Sequence, residues 1–170
     1  MKKFELTSEF ITNIFGTKLF RIKALIEFGN VKAGELGGFV EKEENLSQDG
    51  NAWVYDNARV YGDACVCGDA RVCGDACVYD NARVYGDACV CGDACVYGDA
   101  GYATVHGFGS EYRTTTFFKT KAGDIGVKCG CFYGNLSEFR KKVVETHGET
   151  KKAKEYLMLA DLMEFRLTHK

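Results

Sequence analysis

From Asn51 to Thr104 the chain reads NAWVYD NARVYG DACVCG DARVCG DACVYD NARVYG DACVCG DACVYG DAGYAT, nine successive units of six residues. Ala recurs at 52, 58, 64, 70, 76, 82, 88, 94 and 100, and Val at 54, 60, 66, 72, 78, 84, 90 and 96. Residues two apart on an extended strand face the same way, so Ala and Val share one inward face, and Gly-Asp or Asp-Asn makes the corner that follows. Corner Gly and Asn tolerate positive φ. The absence of proline leaves every backbone N–H free for a ladder between neighbouring coils. Three flat units close a triangular coil of 18 residues, with Val inside, Ala where the wall turns, and coils stacked about 4.8 Å apart. Phe39, Val40 and Leu46 read as an earlier, less regular coil with a two-residue insertion before Val54. Residues 34–104 thus predict a mainly β fold, a parallel β-helix of about four coils and about 20 Å in length.

The 18-residue coil sorts the outward side chains into columns. Tyr61, Tyr79 and Tyr97 form one; Trp53, Arg71 and Cys89 form a second; Tyr55, Cys73 and Cys91 form a third. An aromatic ladder on a free surface marks an interface, so Tyr61, Tyr79, Tyr97 and Trp53 are the candidate self-association residues. Residues 57–80 and 81–98 are near copies offset by 24 residues, which places a copied residue on the next face of the prism. A site built from outward repeat residues would be scrambled by that duplication. The repeat therefore reads as a wall, with function at its ends.

Those ends read differently. Residues 1–33 form an N-terminal strand region capping the helix, with KLFRIKALIEFG alternating polar and apolar as a strand does. Residues 105–170 form a small α+β appendage. In it EYRTTTFFKTKAGDIGVKCGCF gives two strands joined at KAGD. Asn135 with Glu138 reads as a capping box opening a helix that stops at Gly148. Thr150 caps a last helix with Ala153, Tyr156, Leu157, Ala160, Met163 and Leu167 as its apolar stripe, completing a ββαα module.

The 170 residues are 46% hydrophobic and 27% charged, which is a globular and not a disordered composition. Net charge is −2 but uneven: residues 49–100 hold nine Asp against three Arg, and 101–170 hold twelve Lys or Arg against eight Asp or Glu. No apolar run reaches the roughly 18 residues of a membrane span, and charge interrupts MKKFELTSEF before a signal-peptide core forms. A cytoplasmic protein with its nine cysteines as free thiols is the expectation.

The unbroken run of hexads resembles the hexapeptide-repeat family of left-handed parallel β-helices, and the resemblance implies a homotrimer. FRIKALIEFGNVKAGELGGFVEKEENLSQDGNAWVYDNARVYG is similar to the opening of hexapeptide-repeat proteins encoded by phages and prophages, and GSEYRTTTFFKTKAGDIGVKCGCFYGNLSEFRKKVVETHG to a C-terminal module on the same proteins. That resemblance implies a phage origin, in the cytoplasm of an infected or lysogenic bacterial host, and little chemistry. Cys stands at outward positions where those relatives more often carry Arg.

Acyltransferases on this fold use a histidine as general base, and only His106 follows closely on the last coil. No catalytic residue is assigned on that basis. The CxC pairs Cys65/Cys67, Cys89/Cys91 and Cys129/Cys131 lack the CxxC spacing of structural zinc; Cys73 stacks near Cys89 and Cys91, but thiols filling repeat positions are the simpler reading, with no metal and no cofactor. The segment Ser110–Thr116 leaves the repeat and gathers hydroxyls, a ring and a guanidinium. Arg with Thr can hold a phosphate and Tyr can stack on a base, so Tyr112, Arg113, Thr114, Thr115, Thr116 and Lys119 form the candidate ligand set. The resulting expectation is a non-enzymatic binding protein, an anti-defence factor that sequesters a nucleotide-type ligand or blocks a host defence protein. The alternatives are a structural or assembly scaffold of a phage and a hexapeptide-type acyltransferase. Nucleic acid and membrane are not expected partners.

Overall fold

The computed structural model describes residues 1–98 and 101–169; Ala100, the last alanine of the repeat, lies outside them. The chain opens with β1 (Phe4–Thr12), β2 (Lys18–Ala24) and β3 (Leu36–Val40). The repeat then lays down β4 (Trp53–Val54), β5 (Arg59–Val60), β6 (Cys65–Val66), β7 (Arg71–Val72), β8 (Cys77–Tyr79), β9 (Arg83–Val84), β10 (Cys89–Val90) and β11 (Cys95–Tyr97). Such short strands cannot stand alone. Each is held by parallel pairing to the strand one coil away.

Three faces result. One carries β3, β5, β8 and β11, the second β4, β7 and β10, and the third β6 and β9 with Leu46 bridging to Val66. Val54 pairs with Val72 and Val72 with Val90, Val60 with Val78 and Val78 with Val96, and Val66 with Val84, each an offset of 18. Val40 pairs with Val60 and Leu46 with Val66 at an offset of 20, which locates the two-residue insertion. All eight repeat valines are fully buried, each contributing about 1.5–3 kcal/mol of transfer free energy. The solenoid completes about three turns rather than four. Tyr102 pairs antiparallel with Phe118 instead of adding a parallel rung. At two corners Asp56 and Asp80 adopt φ of 53° and 57°, the left-handed conformation that Asp tolerates better than most residues.

β1, β2 and β3 form an antiparallel meander continuous with the first face. Strand β1 was not foreseen in FELTSEFIT, whose alternation is interrupted by a register shift between Leu6 and Phe10. Phe4, Ile22, Ala24 and Val31 join the same apolar cluster as the repeat valines. Beside them Lys3 is buried, its ammonium 3.5, 3.4 and 3.0 Å from the carbonyls of Asp49, Gly50 and Ala52. Burial lowers the pKa of this ammonium to about 8.

At the other end β12 (Tyr102–Val105), β13 (Thr115–Lys119), β14 (Ile125–Cys129) and β15 (Phe132–Asn135) form a four-stranded antiparallel sheet in that order, two strands more than the sequence predicts. The added strands are short and abut the last coil and a helix cap, so neither carries the alternation that announces a strand. The period of two divides the sheet. Tyr102 and Phe118 enter the solenoid's interior cluster, while Phe117, Ile125 and Val127 pack against α1 (Leu136–His147) and α2 (Lys151–Thr168). Asn135 Oδ1 accepts from Glu138 N and Glu138 Oε2 from Asn135 N, both at 2.8 Å, and Thr150 Oγ1 accepts from Ala153 N. No described helix is long and apolar enough to cross a membrane.

Candidate functional site

The loop between β12 and β13 is tied down at both ends. His106 Nδ1 lies 3.0 Å from Thr114 Oγ1, Gly109 N donates to Glu155 Oε2, and Ser110 N donates to Tyr156 Oη on α2. Between these ties Glu111 and Tyr112 adopt φ of 61° and 49°, two consecutive side-chain-bearing residues in the left-handed region. Such conformations persist only where the surroundings hold them, and they gather at ligand sites. They deliver Arg113 onto the turn after β14, where its guanidinium lies against Gly130.

There a cleft of about 220 Å³ opens between the loop, the sheet and α1. Arg113 and Lys142 bring its cationic groups, His147 an imidazole, Ser110 and Tyr156 its hydroxyls, and Phe139 part of its apolar wall. Glu111 stands among the lining residues as its carboxylate. Among the described residues neither Arg113 nor Lys142 has a carboxylate within ion-pair distance. Tyr112 is 70% exposed beside Arg113.

The ligand set expected from sequence comes apart in part. Thr115 and Thr116 are buried: Thr115 Oγ1 donates to Cys129 Sγ and Thr116 Oγ1 accepts from Cys89 N, so neither hydroxyl is open to a ligand. Alternation along β13 turns one of them to the helices and the other to the solenoid. Thr114 is engaged with His106, and Lys119 reaches towards the Tyr97 ring at 6.0 Å instead of lining the cleft. Lys142 and His147 were missed, because nothing in an amphipathic helix tells which loop will pack against its polar edge.

On the solenoid the three tyrosines do stack. Ring centroids are 5.2 Å apart for Tyr61 and Tyr79 and 5.6 Å for Tyr79 and Tyr97, with interplanar angles of 6° and 25°. Trp53 does not belong with them. It points out of the coil but is fully buried beneath the N-terminal region, edge-on to Phe4 and Phe28, so it cannot meet a partner. A larger groove, about 1000 Å³, runs between the third face and α2, where Tyr85, Leu162 and Phe165 are exposed and Arg83 and Arg166 supply positive charge.

A third feature lies where the second face meets the appendage. The sulfurs of Cys73, Cys89 and Cys91 all lie within 4.8 Å of one another, the proximity expected from the stacking of Cys73 near Cys89 and Cys91. Hydrogen bonding from Cys73, then from Cys91, with Lys128 and Arg71 nearby, holds the Cys89 thiol well below the usual thiol range, while Cys73, donating to Cys89, is pushed well up. Such a trio can hold a soft metal ion.

The YdcK beta solenoid repeat family matches residues 52–68, 70–86 and 76–92. A curated relative, "Uncharacterized acetyltransferase YdcK" of Escherichia coli (strain K12), is 40% identical over 63 residues, which is 33% of this chain and 19% of the relative. The matched stretch thus spans about a fifth of the relative's length.

Proposed function

We propose that this protein is a non-enzymatic binding protein whose appendage cleft takes a small phosphate-bearing ligand of the nucleotide type. The observation that carries the reading is the meeting of Arg113, Lys142 and His147 over one apolar-walled cleft. A guanidinium and an ammonium without carboxylate partners among the described residues suit a phosphate, bidentate at Arg113. Tyr112 at the rim suits stacking on a base, and Glu111 suits a sugar hydroxyl. The cleft's 220 Å³ accommodates the phosphate end, with the base in the open mouth. On this reading the solenoid is the wall that presents the cleft, and the stacked tyrosines join three copies into a homotrimer. The biological setting we propose is the cytoplasm of a phage-infected bacterium, with sequestration of a nucleotide signal, or occlusion of a protein partner at the α2 groove, as the means of countering a host defence.

Isothermal titration against a panel of mono-, di- and cyclic nucleotides tests this directly. At least one is expected to bind at micromolar strength, with Arg113→Ala weakening it by about 1.5–3 kcal/mol, the worth of a charge-assisted hydrogen bond. No binding by the intact protein at millimolar nucleotide sinks the reading.

A second reading, acetyl transfer, is favoured by the printed name of the relative from Escherichia coli. Its candidate base is His106, which is exposed and bonded to Thr114. It requires acetyl-CoA turnover that disappears in His106→Ala, and its absence across amine and hydroxyl acceptors removes it.

A further inference from the structure

We propose that Cys73, Cys89 and Cys91 bind one Cu(I) ion through three sulfurs at the junction of solenoid and appendage. The backbone brings them together by two routes. Cys73 and Cys91 are one coil apart, while Cys89 sits two residues before Cys91 on the same rung, opposite Arg71. The three sulfurs already lie within 4.8 Å of one another. Thiolates held by one trigonal ion at a metal–sulfur distance of about 2.3 Å sit about 4 Å apart, so small thiol rotations close the site. Cys73 and Cys89 are half-buried and Cys91 is 8% exposed, which leaves the ion a way in while excluding bulk water.

Two considerations select the ion. Thiolates favour soft metals, Cu(I) and Zn(II) among them. Structural Zn(II) takes four ligands, and among the described residues no further His, Cys, Asp or Glu joins this group. Charge points the same way. Three thiols lose three protons as the monovalent ion binds, leaving a complex of charge −2. Two cations stand beside it, Arg71 on the rung below and Lys128 on β14, whose neighbour Thr116 accepts a hydrogen bond from Cys89 N. Tyr55 and Tyr133 also stand near the thiols. The ion would thereby staple two coils beneath the appendage sheet.

The test uses the full chain, reduced anaerobically with a phosphine and titrated with Cu(I) held by a chromophoric chelator, followed by X-ray absorption at the copper edge. One equivalent is expected in a three-sulfur shell at about 2.3 Å. Cys73→Ser and Cys89→Ser should each lose that equivalent with unchanged far-UV circular dichroism, whereas Cys65→Ser and Cys131→Ser keep it. Lys128→Met should weaken it about 10–100-fold, as loss of an outer partner does. Failure to draw Cu(I) from the chelator, a two-sulfur shell, full binding by Cys73→Ser or Cys89→Ser, or displacement by equimolar Zn(II) would each overturn the proposal.

Discussion

Alanine at two corners of one column separates the two reasons this solenoid has for glycine. Gly50 and Gly86 both lie in the left-handed region, at φ of 71° and 64°. They belong to the column that also holds Gly68, but their neighbours differ. A Cβ at Gly50 would stand 2.6 Å from the carbonyl oxygen of Gly68, whereas one at Gly86 would meet nothing within 4 Å. The Gly68 oxygen already accepts from Asn51 N at 2.9 Å and Ala52 N at 2.8 Å, so it cannot move aside without loosening both. Left-handed backbone costs an alanine about 1–2 kcal/mol, and restriction of the unfolded chain returns about 0.4–1 kcal/mol. Gly86→Ala is therefore expected to cost about 1 kcal/mol or less. Gly50→Ala adds an overpacking cost of about 1–3 kcal/mol, for a total of about 1–4 kcal/mol. At this chain length each kcal/mol lowers Tm by about 2–4 °C. Guanidinium unfolding followed by far-UV circular dichroism measures both variants. The fluorescence of Trp53, the chain's single tryptophan and buried three residues from Gly50, gives a second probe. Equal losses in the two variants would refute the contact argument and leave φ alone as the reason for glycine.

Three further outcomes are expected. Phe118→Ala removes a fully buried ring from the end of the solenoid's interior; it should cost about 3–5 kcal/mol and raise light scattering as the apolar end opens, and a silent variant would show that Tyr102 alone closes that end. Lys3 titrates near 8 when folded against 10.5 in the open chain, so between those values the unfolded state binds more protons and stability should rise with pH; denaturation midpoints across that range should lose this slope in Lys3→Met. Asn135→Ala removes the cap that accepts from Glu138 N and should cost about 0.5–2 kcal/mol, read from the thermal midpoint.

Much of the architecture follows from the sequence alone, because the controlling interactions recur at fixed spacing. A period of six with Ala and Val two apart dictates an inward face, a corner and an 18-residue coil. Pairings such as Val54 with Val72 and the stacking of Tyr61 on Tyr79 follow without knowledge of the rest of the chain. The helix caps at Asn135 and Thr150 are legible for the same reason, since a cap and its N–H lie three residues apart. What the tertiary structure alone decided is which outward side chains stay outward. Period and strand alternation assign Trp53, Thr115 and Thr116 to faces, yet not what covers those faces, and burial by the N-terminal region, the helices and the last coil removed all three from the surface. The meeting of Arg113 with Lys142 and His147, and of Cys89 with Lys128, spans tens of residues without periodicity. Contacts of that kind depend on how the appendage sheet seats on the last coil through Tyr102 and Phe118, a docking that no local pattern records.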